Sequence, residues 1–384
     1  MKNQDFSVSI IIPNLNGAKF LPNCLNSLLS SLKLAKIKNF EIILVDNAST
    51  DNSIQTFETI ITNTPSVIPS EVEGSLSLSQ NSRKARNLNK SRDSSIPLRS
   101  TRNDISYQII QNSSNFGFAK AVNQGILKAK YNHVIICNND LTIDKNWFKH
   151  ISLAIRTNKN PKIVTFFGTV LNKNGTKIES RGLKFFISGK ALNIDNGKPV
   201  ILSANEESRR NQSQQKDSST SSQNDASYFV WGSSASIVCY HKATLLKIGM
   251  FDPDFFAYEE DVDLALRLHN LKYKTLFIPQ AISYHIGGAT SSKMGNFRNR
   301  MDAKNWFYII IKNYSKKEIL NNLFPIIIER LRNLSGLIKQ TIKIYKLKSV
   351  YILPTSLITT YGQIILNLPK MLKKRKNILK YKQV

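Results

Sequence analysis

Short apolar runs that stop at polar turns and give way to amphipathic helices recur along the N-terminal part of the chain, and this alternation narrows the fold more than any other feature. Residues 7–12 (SVSIII) end at Pro13 and Asn14, and beyond Gly17 the positions Phe20, Leu21, Leu25, Leu28, Leu29 and Leu32 follow helical spacing. Residues 40–45 (FEIILV) stop at Asp46, and the turn 46–53 (DNASTDNS) leads into a helix carrying Ile54, Phe57 and Ile61. The pattern returns at 107–111, the loop NSSNFGFAK, a helix through Val122 and Ile126, and the run 133–137, which ends in Asn138, Asn139 and Asp140. Strands alternating with helices predict an α/β fold with a doubly wound, mainly parallel sheet. Ligands of such sheets bind at the carboxyl ends of the strands. Asp46 and Asp140 both stand at ends of that kind and are expected to line one crevice.

A second signal lies at 251–285. Glu259, Glu260, Asp261 and Asp263 crowd together in a chain otherwise biased toward Lys and Arg, between Phe255, Phe256 and Tyr258 on one side and Val262, Leu264, Ala265 and Leu268 on the other. Acids at a helix start complement its dipole. The apolar flanks add a pocket in which a carboxylate is tuned as a base. Arg267 lies six residues beyond Asp261, off its face, and is expected to hold another acid or a phosphate.

Asp140 has the chemistry of a hard-cation ligand, since Mg²⁺ and Mn²⁺ take one or two protein carboxylates and complete their shell with phosphates and water. A strand-end aspartate serves equally as a helix cap or turn former. His285 closes the apolar stretch after 273–278 and is the corresponding imidazole. No GxGxxG or GxxxxGK[ST] loop follows the first strand, which argues against dinucleotide cofactors and P-loop hydrolysis.

Taken in order, VSIIIPNLNG, EIILVDNASTDNS, NFGFAKAVNQGI, CNND and FDPDFFAYEEDVDLALRL followed by His285 resemble the motifs of family 2 glycosyltransferases, in particular the bacterial rhamnosyltransferase-like branch. The resemblance runs through roughly residues 7–310, two insertions aside. It implies a GT-A fold and inverting transfer of a sugar from a nucleotide-diphosphate donor, dTDP-rhamnose being favoured, to a growing cell-surface glycan or lipid-linked acceptor. By the same resemblance Asp46 contacts the base or ribose, and Pro13, Asn14, Asn115, Gly117, Asn123 and Asn139 belong to the nucleotide-sugar site. Asp140 becomes the metal-binding end of a DXD-type motif, with His285 as second ligand or diphosphate contact. Asp261 becomes the general base, with Glu260 the competing candidate. The DXD element reads Asn138-Asn139-Asp140, so its first carboxylate is missing, which leaves the strictness of the Mg²⁺ or Mn²⁺ requirement open.

These roles agree with the chemistry. A cation stabilises charge on the leaving diphosphate without proton transfer, while the acceptor hydroxyl needs one carboxylate within reach. Two carboxylates astride the anomeric carbon would signal hydrolysis instead. Simple glycoside hydrolases, however, need neither a nucleotide nor a metal site. The acceptor side is expected between Asp140 and Phe251, where 166–170, 183–187 and 228–240 read as strands. There Trp231 and Gly232 form a turn whose aromatic either stacks on a sugar or is half-buried in a strand.

Residues 64–106 and 205–226 are Ser-, Asn-, Gln- and Arg-rich, without periodicity, and are expected to be disordered insertions in a catalytic domain spanning 1–300. The region 301–384 is basic. It holds 17 of the 54 Lys and Arg but 3 of the 26 Asp and Glu, a net +14 of the chain's +28. Its apolar runs are interrupted before about 18 residues, so attachment to an anionic membrane surface by basic amphipathic helices is expected rather than a spanning helix. A helical cap with solvated lysines fits the same pattern. MKNQDFSVSIII has no signal-peptide pattern, and Cys24, Cys137 and Cys239 are widely spaced in apolar segments. Both features suit buried thiols in a cytoplasmic protein held at the inner face of the cell membrane. A nucleic-acid binder is disfavoured because the crevice is acidic. A non-catalytic sugar-nucleotide binder keeps the fold but leaves Asp46, Asp140, Asp261 and His285 without a task.

Overall fold

The computed structural model describes residues 6–64, 105–200, 227–286 and 296–382. Apart from residues 64, 105 and 106, both expected insertions lie outside the described residues.

Strands β1 (Ser7–Asn14), β2 (Asn39–Asp46), β3 (Ser106–Gln111) and β4 (His133–Cys137) pair in parallel in the order β3-β2-β1-β4. Ile10, Ile11, Ile12, Ile42, Ile43, Leu44 and Val45 are fully buried, which explains why these strands read as continuous apolar runs: both faces are covered. Helix α1 (Leu21–Leu34) begins with a proline in its first turn and buries Leu21, Cys24, Leu25, Leu28, Leu29 and Leu32 along one stripe. Helix α1 makes the first crossover, and α2 (Ser53–Asn63) and α3 (Phe118–Lys128) make the other two.

Beyond β4 the sheet becomes mixed. β5 (Leu141–Ile143) and helix α4 (Trp147–Thr157) lead to β6 (Ile163–Asn172). β7 (Ile178–Ser180) pairs antiparallel with β6, while β8 (Leu183–Phe185) and β9 (Ala191–Asn193) form a separate two-stranded ribbon. The expected strand 228–240 is two strands, β10 (Tyr228–Val230) and β11 (Ile237–His241). β11 is inserted antiparallel between β4 and β6, whereas β10 lies on the outer edge, so residues 231–236 must cross from one position to the other. Helices α5 (Lys242–Ile248) and α6 (Glu260–Asn270) precede β12 (Lys274–His285), which runs parallel to β6 and accepts β5 antiparallel at its His285 end. All three cysteines are buried and free, as expected.

The basic C-terminal region consists of α7 (Phe297–Asn313), α8 (Lys316–Asn321), α9 (Leu323–Tyr345) and α10 (Ser349–Lys382). The expected boundary at 300 falls inside α7, a helix that buries Lys304, Asn305, Lys312 and Asn313. Ser315 and Glu318 close a capping box that starts α8. Among the described residues one helical stretch, 323–379, is long and apolar enough to cross a membrane by length and composition alone, with polar residues interrupting it throughout. On α10 the exposed Tyr351, Ile358, Ile365 and Leu372 recur every seven residues and so share one face.

Candidate active site

The carboxyl ends of β1, β2 and β4 are laced together by amides. Asn14 Nδ2 donates to Asp46 Oδ1 at 2.9 Å and to Ser49 Oγ at 3.1 Å, and Asn14 Oδ1 accepts from Asn139 Nδ2 at 2.7 Å. Asp46 has no exposed surface and also accepts from the Ser49 backbone N–H at 3.0 Å. Its carboxylate therefore organises Asn14 and Ser49 from below instead of standing free in the crevice as expected. Pro13 and Asn139 remain partly exposed, and Asn115 is exposed. Asn47, which has no conspicuous sequence signature, fastens the Asn115 loop by donating to Asn115 Oδ1 at 3.0 Å and to the Gly117 carbonyl at 3.2 Å. Gly117 has φ +82°, and a Cβ there would stand 2.5 Å from the Phe256 carbonyl, so glycine is required on both counts. Asn123 is corrected from ligand contact to brace: its amide donates to the Phe251 carbonyl at 2.7 Å and accepts from the Phe251 N–H at 3.1 Å. This consumes both ends of the side chain.

Asp140 and His285 are brought together, as expected. Asp140 Oδ1 lies 3.3 Å from His285 Nε2, and the side chains are 14% and 21% exposed, so both reach solvent. The pairing follows from the sheet: Asp140 directly precedes β5, which pairs with the last residues of β12. The opposite ring nitrogen, Nδ1, meets Glu179 Oε2 at 2.6 Å. Glu179, on the short edge strand β7, carries no motif. Burial alone would lower the imidazole pKa, but Asp140 and Glu179 raise it to about 10. Among the described residues no group of three His, Cys, Asp or Glu side chains forms a complete metal cage. One carboxylate oxygen and one imidazole nitrogen at this separation do suit two adjacent positions on an ion whose remaining ligands are phosphates and water. The buried Asn138 Oδ1, without a hydrogen-bond partner, adds an unspent oxygen on the same turn.

The acidic segment divides into two functions. Asp261 Oδ2 accepts from the Ala235 N–H at 3.1 Å and Oδ1 from the Val262 N–H at 2.8 Å, while the buried Glu260 leaves Oε2 without a partner. Burial raises the Asp261 pKa, opposed by those two N–H groups. Burial together with the Asp261 charge pushes Glu260 well above the usual range. Asp261 is thus the better supported carboxylate and Glu260 the better protonated one. Asp263, by contrast, is structural. It accepts from Arg267 Nε at 2.9 Å, from Asn313 Nδ2 at 2.9 Å and from Lys312 Nζ at 2.7 Å. Arg267 therefore does hold another acid, and it also donates to the carbonyls of Ile248 and Met250.

The segment before Asp261 is strained and held by α7. Phe256, Tyr258 and Glu259 have φ of 66°, 68° and 63°, a region that costs bulky residues about 1–3 kcal/mol each. Asn305, fully buried, places Nδ2 3.0, 2.9 and 2.7 Å from the carbonyl oxygens of Phe255, Ala257 and Tyr258. Lys312 bridges Asp252 at 2.6 Å and Asp263 at 2.7 Å. These residues lie more than forty positions beyond the groups they hold, and only the tertiary fold reveals them.

The sequence profile of glycosyl transferase family 2 matches residues 9–91 and 89–216, and that of glycosyl transferase family group 2 matches residues 184–368. The chain belongs to glycosyl transferase family 2. No curated protein matches the sequence. Among solved structures, GalNAc-T7 with UDP, GalNAc and Mn²⁺ is 14% identical, covering 81% of this chain and 48% of its own, at a TM-score of 0.50. This chain thus spans about half the length of that protein, and the likeness is one of GT-A fold. The mannosyltransferase PcManGT from Pyrobaculum calidifontis with GDP-Man and Mn²⁺ is 12% identical over 97% of this chain and 85% of its own, with a TM-score of 0.49. S. aureus TarS 1-349 is 14% identical over 97% and 92%, with a TM-score of 0.43.

Trp231 and Gly232 lie in the segment where the acceptor side was expected. Trp231 lies in the turn after β10 and is 44% exposed, but its ring stacks on His269 with centroids 3.6 Å apart and meets Phe185 at 6.0 Å. One face of the ring is covered by His269 and the rest reaches solvent. Gly232 packs on α6, where a Cβ would approach the Ala265 Cβ to 2.4 Å. Glycine there permits close helix packing instead of sugar contact.

Proposed function

We propose that this chain is an inverting glycosyltransferase that moves a sugar, rhamnose being favoured, from a nucleotide-diphosphate donor to a hydroxyl of a glycan or lipid-linked acceptor. One observation carries the reading. The turn 234–236 joins the two chemical ends of the site: the Asn138 N–H donates to the Ser236 carbonyl at 2.8 Å, and the Ala235 N–H donates to Asp261 at 3.1 Å. The diphosphate end at Asp140 and the carboxylate at Asp261 are therefore coupled through adjacent residues.

Asp261 accepts the acceptor's hydroxyl proton as its oxygen bonds to C1 of the sugar. The C1–O bond to the diphosphate breaks, and the nucleoside diphosphate leaves on the opposite face. One displacement inverts the anomeric centre. Asp140 and His285 would hold Mg²⁺ or Mn²⁺, which supplies charge neutralisation at the departing phosphate. Mn²⁺ in the GalNAc-T7 complex supports a cation here. Glu179 orients His285 through Nδ1. Asn115 and Asn139 present polar groups to the nucleotide, while the buried Asn14, expected as a contact, spends both ends of its amide on Asp46, Ser49 and Asn139 and acts as a brace.

A panel of dTDP-rhamnose and UDP- and GDP-hexoses, screened by thermal unfolding and followed by NMR of the anomeric configuration of the product, tests this reading. The bound donor stabilises the folded state by mass action. A product of retained configuration, or no turnover of any donor that binds, defeats it. Asp140→Ala is expected to weaken Mn²⁺-dependent donor binding by at least about tenfold, as for lost support of a ligated ion, with the fold intact. Unchanged calorimetric titrations would remove Asp140 from the site.

The same reading places the enzyme on the inner face of the membrane. The four-residue apolar stripe on α10, spaced every seven positions, and the exposed Lys373 and Lys376 support it. Pelleting with anionic vesicles is expected to fall with added salt and in the pair Ile358→Asp, Ile365→Asp, without a change in melting temperature. Equal pelleting of that variant places the contact elsewhere.

A further inference from the structure

The hairpin of α9 and α10 ends in a tip that the fold leaves open. Residues 346–348 turn the chain between the two helices, with Lys346 at φ 48° making the reversal. Behind the tip the hairpin is tied down. Asn296, which precedes α7, places Nδ2 3.1 Å from Thr341 Oγ1 on α9 and 3.2 Å from Ser356 Oγ on α10, and all three residues are buried. Beyond this anchor large apolar side chains face outward. Ile344, Leu347, Val350 and Tyr351 are 43%, 90%, 68% and 79% exposed, and Leu347 is the most exposed large apolar side chain among the described residues. Single apolar residues on a surface need no explanation, but four on one tight turn and its flanks form a patch that something covers.

Charge decides what covers it. Lys339, Lys343, Lys346 and Lys348 are exposed on and beside the tip, and residues 330–384 contain no Asp or Glu. A protein surface would have to match four ammonium groups and an apolar wedge within the same small area. An anionic bilayer offers both in layers, because lysine stems are long enough to leave the charge at the phosphates while neighbouring apolar groups sit among the acyl chains. Tyr351 also begins the apolar stripe of α10, so tip and stripe are continuous. We propose that residues 344–351 are a lipid-insertion wedge, with Leu347 deepest, flanked by Ile344, Val350 and Tyr351, and with Lys343, Lys346 and Lys348 at the phosphates of an anionic leaflet. The wedge rests on the membrane reading for the presence of a bilayer. It adds the point of entry, since attachment by Ile358, Ile365 and Leu372 alone does not require Leu347 to leave water.

Leu347→Trp in the full chain reads the depth directly. Its fluorescence is compared with that of the parent chain, whose Trp147, Trp231 and Trp306 set the background, using vesicles of phosphatidylglycerol and phosphatidylcholine brominated along the acyl chains. A blue shift and quenching of the added fluorescence are expected with these vesicles, and neither with phosphatidylcholine alone. Leu347→Asp is expected to weaken binding to the anionic vesicles by about tenfold or more, because each buried carbon of an inserted side chain adds to membrane affinity. Its melting temperature should not change, since the residue is exposed in the folded protein. Pelleting without quenching would place the contact away from the tip, unaltered vesicle affinity of Leu347→Asp would make Leu347 a bystander, and a lipid-free dimer that Leu347→Asp dissociates would make the tip a protein interface. Each overturns the proposal. If the parent chain does not pellet with anionic vesicles at all, the membrane reading falls and the wedge with it; if it pellets and the Leu347→Trp signal is unquenched, the wedge alone falls.

Discussion

Asp261→Asn is expected to lower turnover by about 10²-fold or more while leaving donor affinity nearly unchanged, because the amide keeps the shape of the carboxylate but cannot accept the acceptor's proton. The geometry sharpens the contrast with its neighbour. Asp261 receives two backbone N–H groups that stabilise its ionised form, whereas Glu260 is buried with an oxygen left unpaired and its pKa pushed well up. Glu260→Gln is therefore expected to cost far less. The acid limb of the rate profile should lie above the usual aspartate range, since burial raises the Asp261 pKa and turnover needs the ionised form. If Glu260→Gln stops turnover and Asp261→Asn does not, the base is misassigned.

Lys312→Met is expected to destabilise the fold by about 3–5 kcal/mol, the scale on which removing one partner strands a buried charge. The ammonium lies 2.6 Å from Asp252 and 2.7 Å from Asp263, and all three side chains are 5% exposed or less. Burial raises both carboxylates, but Lys312 with Lys374 at Asp252, and Lys312 with Arg267 at Asp263, hold them below their usual values. A depressed carboxylate pKa stabilises the fold at pH above the unfolded value of about 3.9, and that stability is lost as pH falls toward the folded value. Removing the ammonium takes away the main opposition to burial and lets the carboxylates rise. The deficit of Lys312→Met, read from denaturant midpoints, should therefore be largest at neutral pH and shrink toward pH 4. A deficit independent of pH would mean that the loss is one of packing and not of charge.

The reach of the sequence can be followed residue by residue. Strand-end positions such as Asp140, and the helix start at Glu260, were legible because apolar runs, polar turns and helical spacing are local properties. The pairing of Asp140 with His285 was foreshadowed by motif order and realised by β5 lying against β12. Asp46, Asn123 and Gly232 were legible in position but not in task. Whether an amide or a ring faces a ligand or a neighbour depends on which backbone lies opposite it, and that backbone belongs to distant segments.

The sequence by itself determined the α/β core, the crevice at the ends of its strands and the acidic helix beside it, since periodicity and burial are written into consecutive residues. Only the tertiary structure decided that 228–240 is split across the sheet, that Glu179 grips the far side of His285, and that Asn305 and Lys312 hold the strained approach to Asp261. Each of these is a contact between segments far apart in the chain, from 47 to 106 positions for the side-chain contacts. Its worth depends on desolvation and geometry that exist only once the sheet and α7 have closed around it.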